Sequence, residues 1–228
     1  MLFNSLRFLV FFPLVFLLYW GLPHRARKYL LLAASYYFYM CWKPEFIVLI
    51  LYSTAVDYLC ALGMERRAEH KKLFLAVSLT MNLGLLFFFK YFNFFGATLT
   101  ALCRAVSIPF SAPVLSIILP VGISFYTFQT LSYTIDVYRG RMKAERDFVL
   151  FALFVSYFPQ LVAGPIERAA DLLPQLREVH TFRYEQGVHG ARLMAWGFFK
   201  KCVCAAYLGT LVDRVYGNVG AVGGGAAA

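Results

Sequence analysis

Long apolar runs separated by short charged gaps organise this chain. Residues 5–21, 29–42, 46–63, 73–89, 114–138 and 148–163 are the runs, and the first is interrupted by one charge, Arg7. A bilayer core about 30 Å thick takes roughly 20 apolar residues per helical crossing. The 29–42 run is short and aromatic and stops at Lys43-Pro44-Glu45, where the proline disfavours a helical residue before it. The 46–63 run starts at once, so the two predict a helical hairpin. Residues 97–113, with Arg104, Pro109 and Pro113, are mixed in character and predict a partly exposed outer segment before 114–138 brings the chain back. The pattern predicts an all-α, polytopic integral membrane helical bundle with about six hydrophobic crossings plus interfacial or re-entrant helices.

The gaps orient the bundle. His24-Arg25-Ala26-Arg27-Lys28, residues 65–72 (ERRAEHKK) and residues 139–147 (RGRMKAERD) are basic and separated by even numbers of crossings. The positive-inside rule then places all of them on the cytoplasmic side and the N-terminus outside. The first run is a retained anchor and not a signal peptide, because its basic cluster follows it and no small-x-small cleavage pattern does. Multi-pass insertion in a bacterial inner membrane, with the lipid bilayer as its partner, is the expectation. Lys90, inside FFFKYFNFF, reads as an interfacial lysine that snorkels to water from an aromatic belt.

Composition sharpens this reading. Apolar residues make up 61% of the chain and charged residues 15%, against roughly 45–50% and 25% in soluble domains. The formal charge of +10, from 22 basic and 12 acidic residues, would raise nucleic-acid binding in a soluble protein. Here the basic residues sit in the gaps between runs, so no nucleic-acid partner is expected. Cys41, Cys60, Cys103, Cys202 and Cys204 show neither a disulfide framework nor zinc spacing, so no metal site is expected.

Three stretches carry candidate chemistry. In 119–138 (LPVGISFYTFQTLSYTIDVY) Tyr126, Gln129, Tyr133 and Asp136 recur at three, four and three residues, one stripe of a helix. Polar groups buried in a bilayer need partners, so the stripe faces the protein interior or a wet cavity. It is either interhelical glue or the lining of a path for a polar substrate or acyl carrier, and Asp136 has Arg139 and Arg141 as available partners. In 158–168 (FPQLVAGPIER) Pro159 and Gly164-Pro165 break an apolar run beside Gln160, Glu167 and Arg168. The alternatives are an internal site or re-entrant turn and a plain helix end. In 193–211 Lys200 and Lys201 split an apolar stretch into two arms, neither long enough to cross alone. They sit among lipid phosphates on an interfacial helix, or one attracts an anionic donor.

The strings LPVGISFYTFQTLSYTIDVYRG, YFPQLVAGPIERA with LLPQL, and MAWGFFKKCV with VDRVY resemble the membrane-bound O-acyltransferase family, most nearly its alginate O-acetyltransferase membrane-subunit branch. The likeness runs from the N-terminus through about Tyr216 and covers an N-terminal half. Residues 1–216 then form the N-terminal part of such a bundle, followed by a low-complexity Gly/Ala tail, 217–228. The resemblance implies transfer of an acyl group, usually acetyl, from a cytoplasmic thioester such as acetyl-CoA through a membrane tunnel to hydroxyls of an exported polysaccharide such as alginate. It implies no bound cofactor, and an outer-side acetyltransferase or polysaccharide-export partner.

Motif positions of the family correspond here to Gln129, Tyr133, Asp136, Gln160, Gly164, Pro165, Glu167, Arg168, Lys200 and Lys201, as path candidates. A histidine near neutral pKa is the family's general base and is expected beyond residue 228. His24 and His70 lie in basic loops, and His180 and His189 flank a charged segment, so no residue of the chain is expected to be catalytic. The alternative is a non-catalytic membrane scaffold of a polysaccharide-modification complex.

Overall fold

The computed structural model describes residues 1–106, 113, 115, 118–162 and 164–217. Among them every regular element is a helix and there is no strand. Two compact units emerge: residue 1 with 14–179, and residues 2–13 with the chain from 180 onward. Helix α1 (Leu6–Gly21) gives its first half to the second unit and its remainder to the first.

The first unit holds α2 (His24–Met40), α3 (Ile47–Arg66), α4 (Lys71–Leu86), α5 (Phe92–Ala105), α6 (Ile123–Tyr138), α7 (Phe148–Ser156), α8 (Phe158–Leu161) and α9 (Ala169–Arg177). Short 3₁₀ turns lead into α3 and α4, and Pro44 opens the first of them. A π-helical turn, Phe87–Tyr91, joins α4 to α5, so helix runs unbroken from Ala68 to Ala105. The mixed segment expected from residue 97 is therefore helical as far as Ala105. Its later part, 107–112, lies outside the described residues. Among the described residues, stretches Pro44–Arg66 and Ala68–Ala105 are the two long and apolar enough to cross a membrane.

α3, α4 and α6 pack together, while α7 lies against α2, α3 and α9. α7 spans nine residues, too few to cross a bilayer core at 1.5 Å per residue, and Leu150 through Ser156 are all buried. Apolar residues on every side make it the core of the unit. It begins where the Asp147 carboxylate accepts the backbone N–H groups of Val149 and Leu150 at 3.0 and 3.2 Å. It ends at Tyr157, whose backbone leaves the helical region ahead of Pro159.

The return expected over 114–138 is shorter than its apolar run. Pro120 and a left-handed Gly122 (φ 78°) delay the helix to Ile123, and a second left-handed glycine, Gly140 (φ 70°), follows its end. In the second unit, α10 (Tyr184–Phe199), a π-helical stretch Lys200–Ala205 and α11 (Ala206–Gly217) continue without a break. Lys200 and Lys201 thus sit within one helix and do not separate two arms.

Candidate functional site

α6 is built as two adjacent polar stripes. The first is the expected one: Tyr126, Gln129, Tyr133 and Asp136 are all buried, and three of them have identified partners. The Gln129 amide donates to the Phe154 carbonyl at 2.9 Å. That carbonyl belongs to the last turn of α7, where the break removes the next helical N–H; the Phe158 amide bonds instead to Ser35 Oγ at 3.2 Å. The Tyr133 hydroxyl accepts the Glu145 amide at 2.9 Å, and Asp136 meets Arg141 at 3.4 Å. Among the described residues the Tyr126 hydroxyl is buried without a hydrogen-bond partner, as is that of its neighbour Tyr39 on α2.

The second constellation lies against the start of α6. A Cβ built on Gly122 would stand 2.4 Å from the Leu161 carbonyl oxygen, and one on Gly164 would stand 2.5 Å from Gln160 Cα. The two glycines thus allow the strand of chain before α6, the short α8 and the turn after it to close on each other. Gln160 Oε1 is buried without a partner. Glu167 is half-buried, and Pro165 and Arg168 are exposed. Lys200 and Lys201 belong to the second unit and are exposed, with Lys200 Nζ 5.7 Å above the Trp196 ring. The five cysteines are free, and no cluster of metal-ligating side chains occurs among the described residues.

The three basic gaps converge. Lys28 pairs with Asp147, Glu65 Oε1 accepts the Ala144 amide at 2.6 Å, and the Tyr58 hydroxyl donates to the Arg146 carbonyl at 2.7 Å. Buried Glu145 holds the turn together by accepting the amides of Arg146 and Asp147 and pairing with Arg177 of α9 at 2.5 Å. The hydrogen bond to Asp147 raises the pKa of Lys28. Desolvation pushes the Asp147 carboxyl up, but the bond from Lys28 and the α7 amides outweigh it and hold the carboxyl below its usual value. Arg25, Arg66, Arg67, Lys72, Arg139 and Lys143 are exposed in these gaps.

The second stripe of α6, Thr127, Thr130 and Thr134, is fully buried on the side of α3 and α4. Here the chain holds a charge-bearing group that the stretches singled out in the sequence do not include. Asp57 of α3 is completely buried; its Oδ1 accepts Ser78 Oγ at 2.5 Å and Asn82 Nδ2 at 2.8 Å, both from α4. Ser53 Oγ donates to Asn82 Oδ1 at 2.5 Å. The signal was available, since Ser53 and Asp57, and Ser78 and Asn82, are i, i+4 pairs inside apolar runs.

Two long apolar helices around sealed polar seams are consistent with a helical integral membrane protein. Comparison with known proteins gives the particular kinship. The chain is 38% identical over 221 residues to the probable alginate O-acetylase AlgI of Azotobacter vinelandii, covering 95% of this chain and 44% of that protein. It is 39% identical over 223 residues to the protein of that name from Pseudomonas aeruginosa, covering 95% and 42%. It is 31% identical over 239 residues to the peptidoglycan O-acetyltransferase of Helicobacter pylori, covering 90% and 44%. The chain thus spans less than half the length of these curated relatives. Over nearly all of its own length it is homologous to the N-terminal half of proteins named O-acetyltransferases. No protein-family model matches the chain, and no solved structure does.

Proposed function

We propose that this chain forms the N-terminal half of the membrane bundle of a polysaccharide O-acetyltransferase, which moves acetyl from a thioester such as acetyl-CoA across an inner membrane to hydroxyls of alginate or a similar exported polymer. The observation that carries this reading is the identity of 38–39% over nearly the whole chain with proteins named alginate O-acetylase. The stitched basic gaps support a cytoplasmic face that attracts an anionic donor. At the other end of α6, the closure of Gly122 on Leu161 brings together the elements that carry Tyr126 and Gln160, whose buried polar atoms have no partner among the described residues and are available to a polar substrate. Tyr126 and Gln160 line the path in this reading, while Gln129 and Tyr133 position it. Asp136, Gly164, Pro165, Glu167, Arg168, Lys200 and Lys201 are the remaining path candidates, and no residue of the chain is assigned the role of base. An outer-side partner receives the acetyl group.

The test is acetylation of exported polymer by cells carrying the whole protein with Tyr126→Phe. Removing a hydroxyl that bonds to nothing leaves the packing intact, so membrane abundance is expected to stay level while transfer falls. Unchanged transfer would remove Tyr126 from the path. Unacetylated polymer with the unmodified protein, alongside co-purification of an export partner, would replace the enzyme with a scaffold.

A further inference from the structure

The acid between α3, α4 and α6 takes no part in the proposed path, yet it is the most deeply buried charge-bearing group described in the first unit. Its hydrogen bonds define its chemistry. Oδ1 receives two donors, Ser78 Oγ–H and Asn82 Nδ2–H. The orientation of the Asn82 amide is fixed from three sides: its NH₂ serves Asp57 and the Ser78 carbonyl at 3.0 Å, and its oxygen accepts from Ser53. A flipped amide would set oxygen against oxygen twice. Oδ2, by contrast, is buried and has no partner.

The groups adjoining the carboxyl from α6 are the side chains of Thr130 and Thr134. Thr130 Oγ1 donates to the Thr127 carbonyl at 3.0 Å and Thr134 Oγ1 to the Thr130 carbonyl at 3.1 Å. No basic side chain pairs with Asp57 among the described residues. Of the elements packed on it, α4 brings Ser78 and Asn82, α6 brings threonines, and α7 has no titratable side chain; the titratable neighbour is the Cys60 thiol on α3 itself. An ionised carboxylate needs donors at both oxygens and a nearby cation when buried. Among the described residues this environment supplies hydrogen-bonded donors to one oxygen and no cation to the pair.

We propose that Asp57 is a proton-binding site, a neutral carboxylic acid whose Oδ2 carries the proton. Oδ1 is then the carbonyl oxygen that accepts from α4. Loss of the proton leaves a buried charge without a cation beside it and loosens α6 from α3 and α4. A group neutral in the fold and ionised in the unfolded chain contributes stability at lower pH and loses it as pH rises.

Infrared spectra of the whole protein in its native lipids at neutral pH, for wild type and Asp57→Asn, test the proposal. The expected result is a carbonyl band of a protonated carboxylic acid that Asp57→Asn abolishes. Thermal unfolding against pH supplies the second measurement. Asn reproduces the acceptor and the donor, so Asp57→Asn is expected to unfold at the wild-type temperature near neutral pH and to lose the alkaline decline. A spectrum unchanged by the substitution would overturn the proposal. So would a wild-type stability that rises with added sodium and an Asp57→Asn stability that does not, since a cation would then occupy the site.

Discussion

Gly122 approaches the backbone of Leu161 so closely that a single added carbon would come within 2.4 Å of its carbonyl oxygen. Two stretches of chain far apart in sequence therefore meet through the one residue type without a side chain. Gly122 also has φ 78°, which costs an L-residue roughly 1–2 kcal/mol without any clash. Gly122→Ala is expected to lower the unfolding temperature in detergent by more than Gly140→Ala, which shares the backbone conformation but has open space around its Cβ. Equal losses at the two positions would mean that contact with Leu161 is unimportant.

Gln129 should be more sensitive to its chemistry than to its size. Gln129→Leu leaves the Phe154 carbonyl buried and unpaired, a loss of about 1–3 kcal/mol. The expected outcome is reduced thermal stability for Gln129→Leu and a smaller effect for Gln160→Leu, because Gln160 Oε1 has no bond to lose. Acetylation measured on the same variants separates packing from transfer.

Asp147 couples the start of α7 to Lys28, and its titration gives stability a defined pH sense. With its pKa held below the usual value, its contribution is present at neutral pH and is lost as pH falls through the acid range. Lys28, whose pKa is raised, contributes below its usual value and loses that contribution at strongly alkaline pH. Asp147→Ala removes a helix cap, about 1 kcal/mol, and is expected to flatten the acid limb of an unfolding-temperature profile. An unaltered acid limb would place that sensitivity elsewhere.

The Glu145–Arg177 pair is asymmetric, with Glu145 buried and the Arg177 side chain 65% exposed. Removing the arginine leaves a buried carboxylate that still has two amide donors, so Arg177→Ala should be tolerated better than Glu145→Ala, which also frees the amides of Arg146 and Asp147. Unfolding temperatures of the two variants and their double variant measure the coupling.

Much of this arrangement was written in the periodicity. The stripe Tyr126, Gln129, Tyr133, Asp136 is buried because a four-residue polar recurrence in an apolar helix has few other stable places, and the basic gaps meet because the helices between them lead the chain back to one end of the first unit. Run length misled where helices end. Residues 148–163 looked long enough to cross, yet Pro159 and the backbone of Tyr157 stop α7 after nine residues, and the apolar surface is spent inside the protein. Asp57 was overlooked because its partners lie one helix away: Ser78 and Asn82 give it meaning only once α4 is set against α3. Long apolar character conceals the two π-helical turns, whose extra residue leaves no compositional mark.

The two polar stripes of α6 have a mechanical consequence. Tyr126, Gln129 and Tyr133 engage or face one set of neighbours while Thr127, Thr130 and Thr134 face another. Turning the helix by a single residue step, about 100°, would break the contacts of both stripes and carry at least one of them out of its polar surroundings. α6 is thus keyed like a shaft with two splines. Rotation about its own axis is closed to it, and motion within this half of the bundle falls to the elements around that fixed shaft.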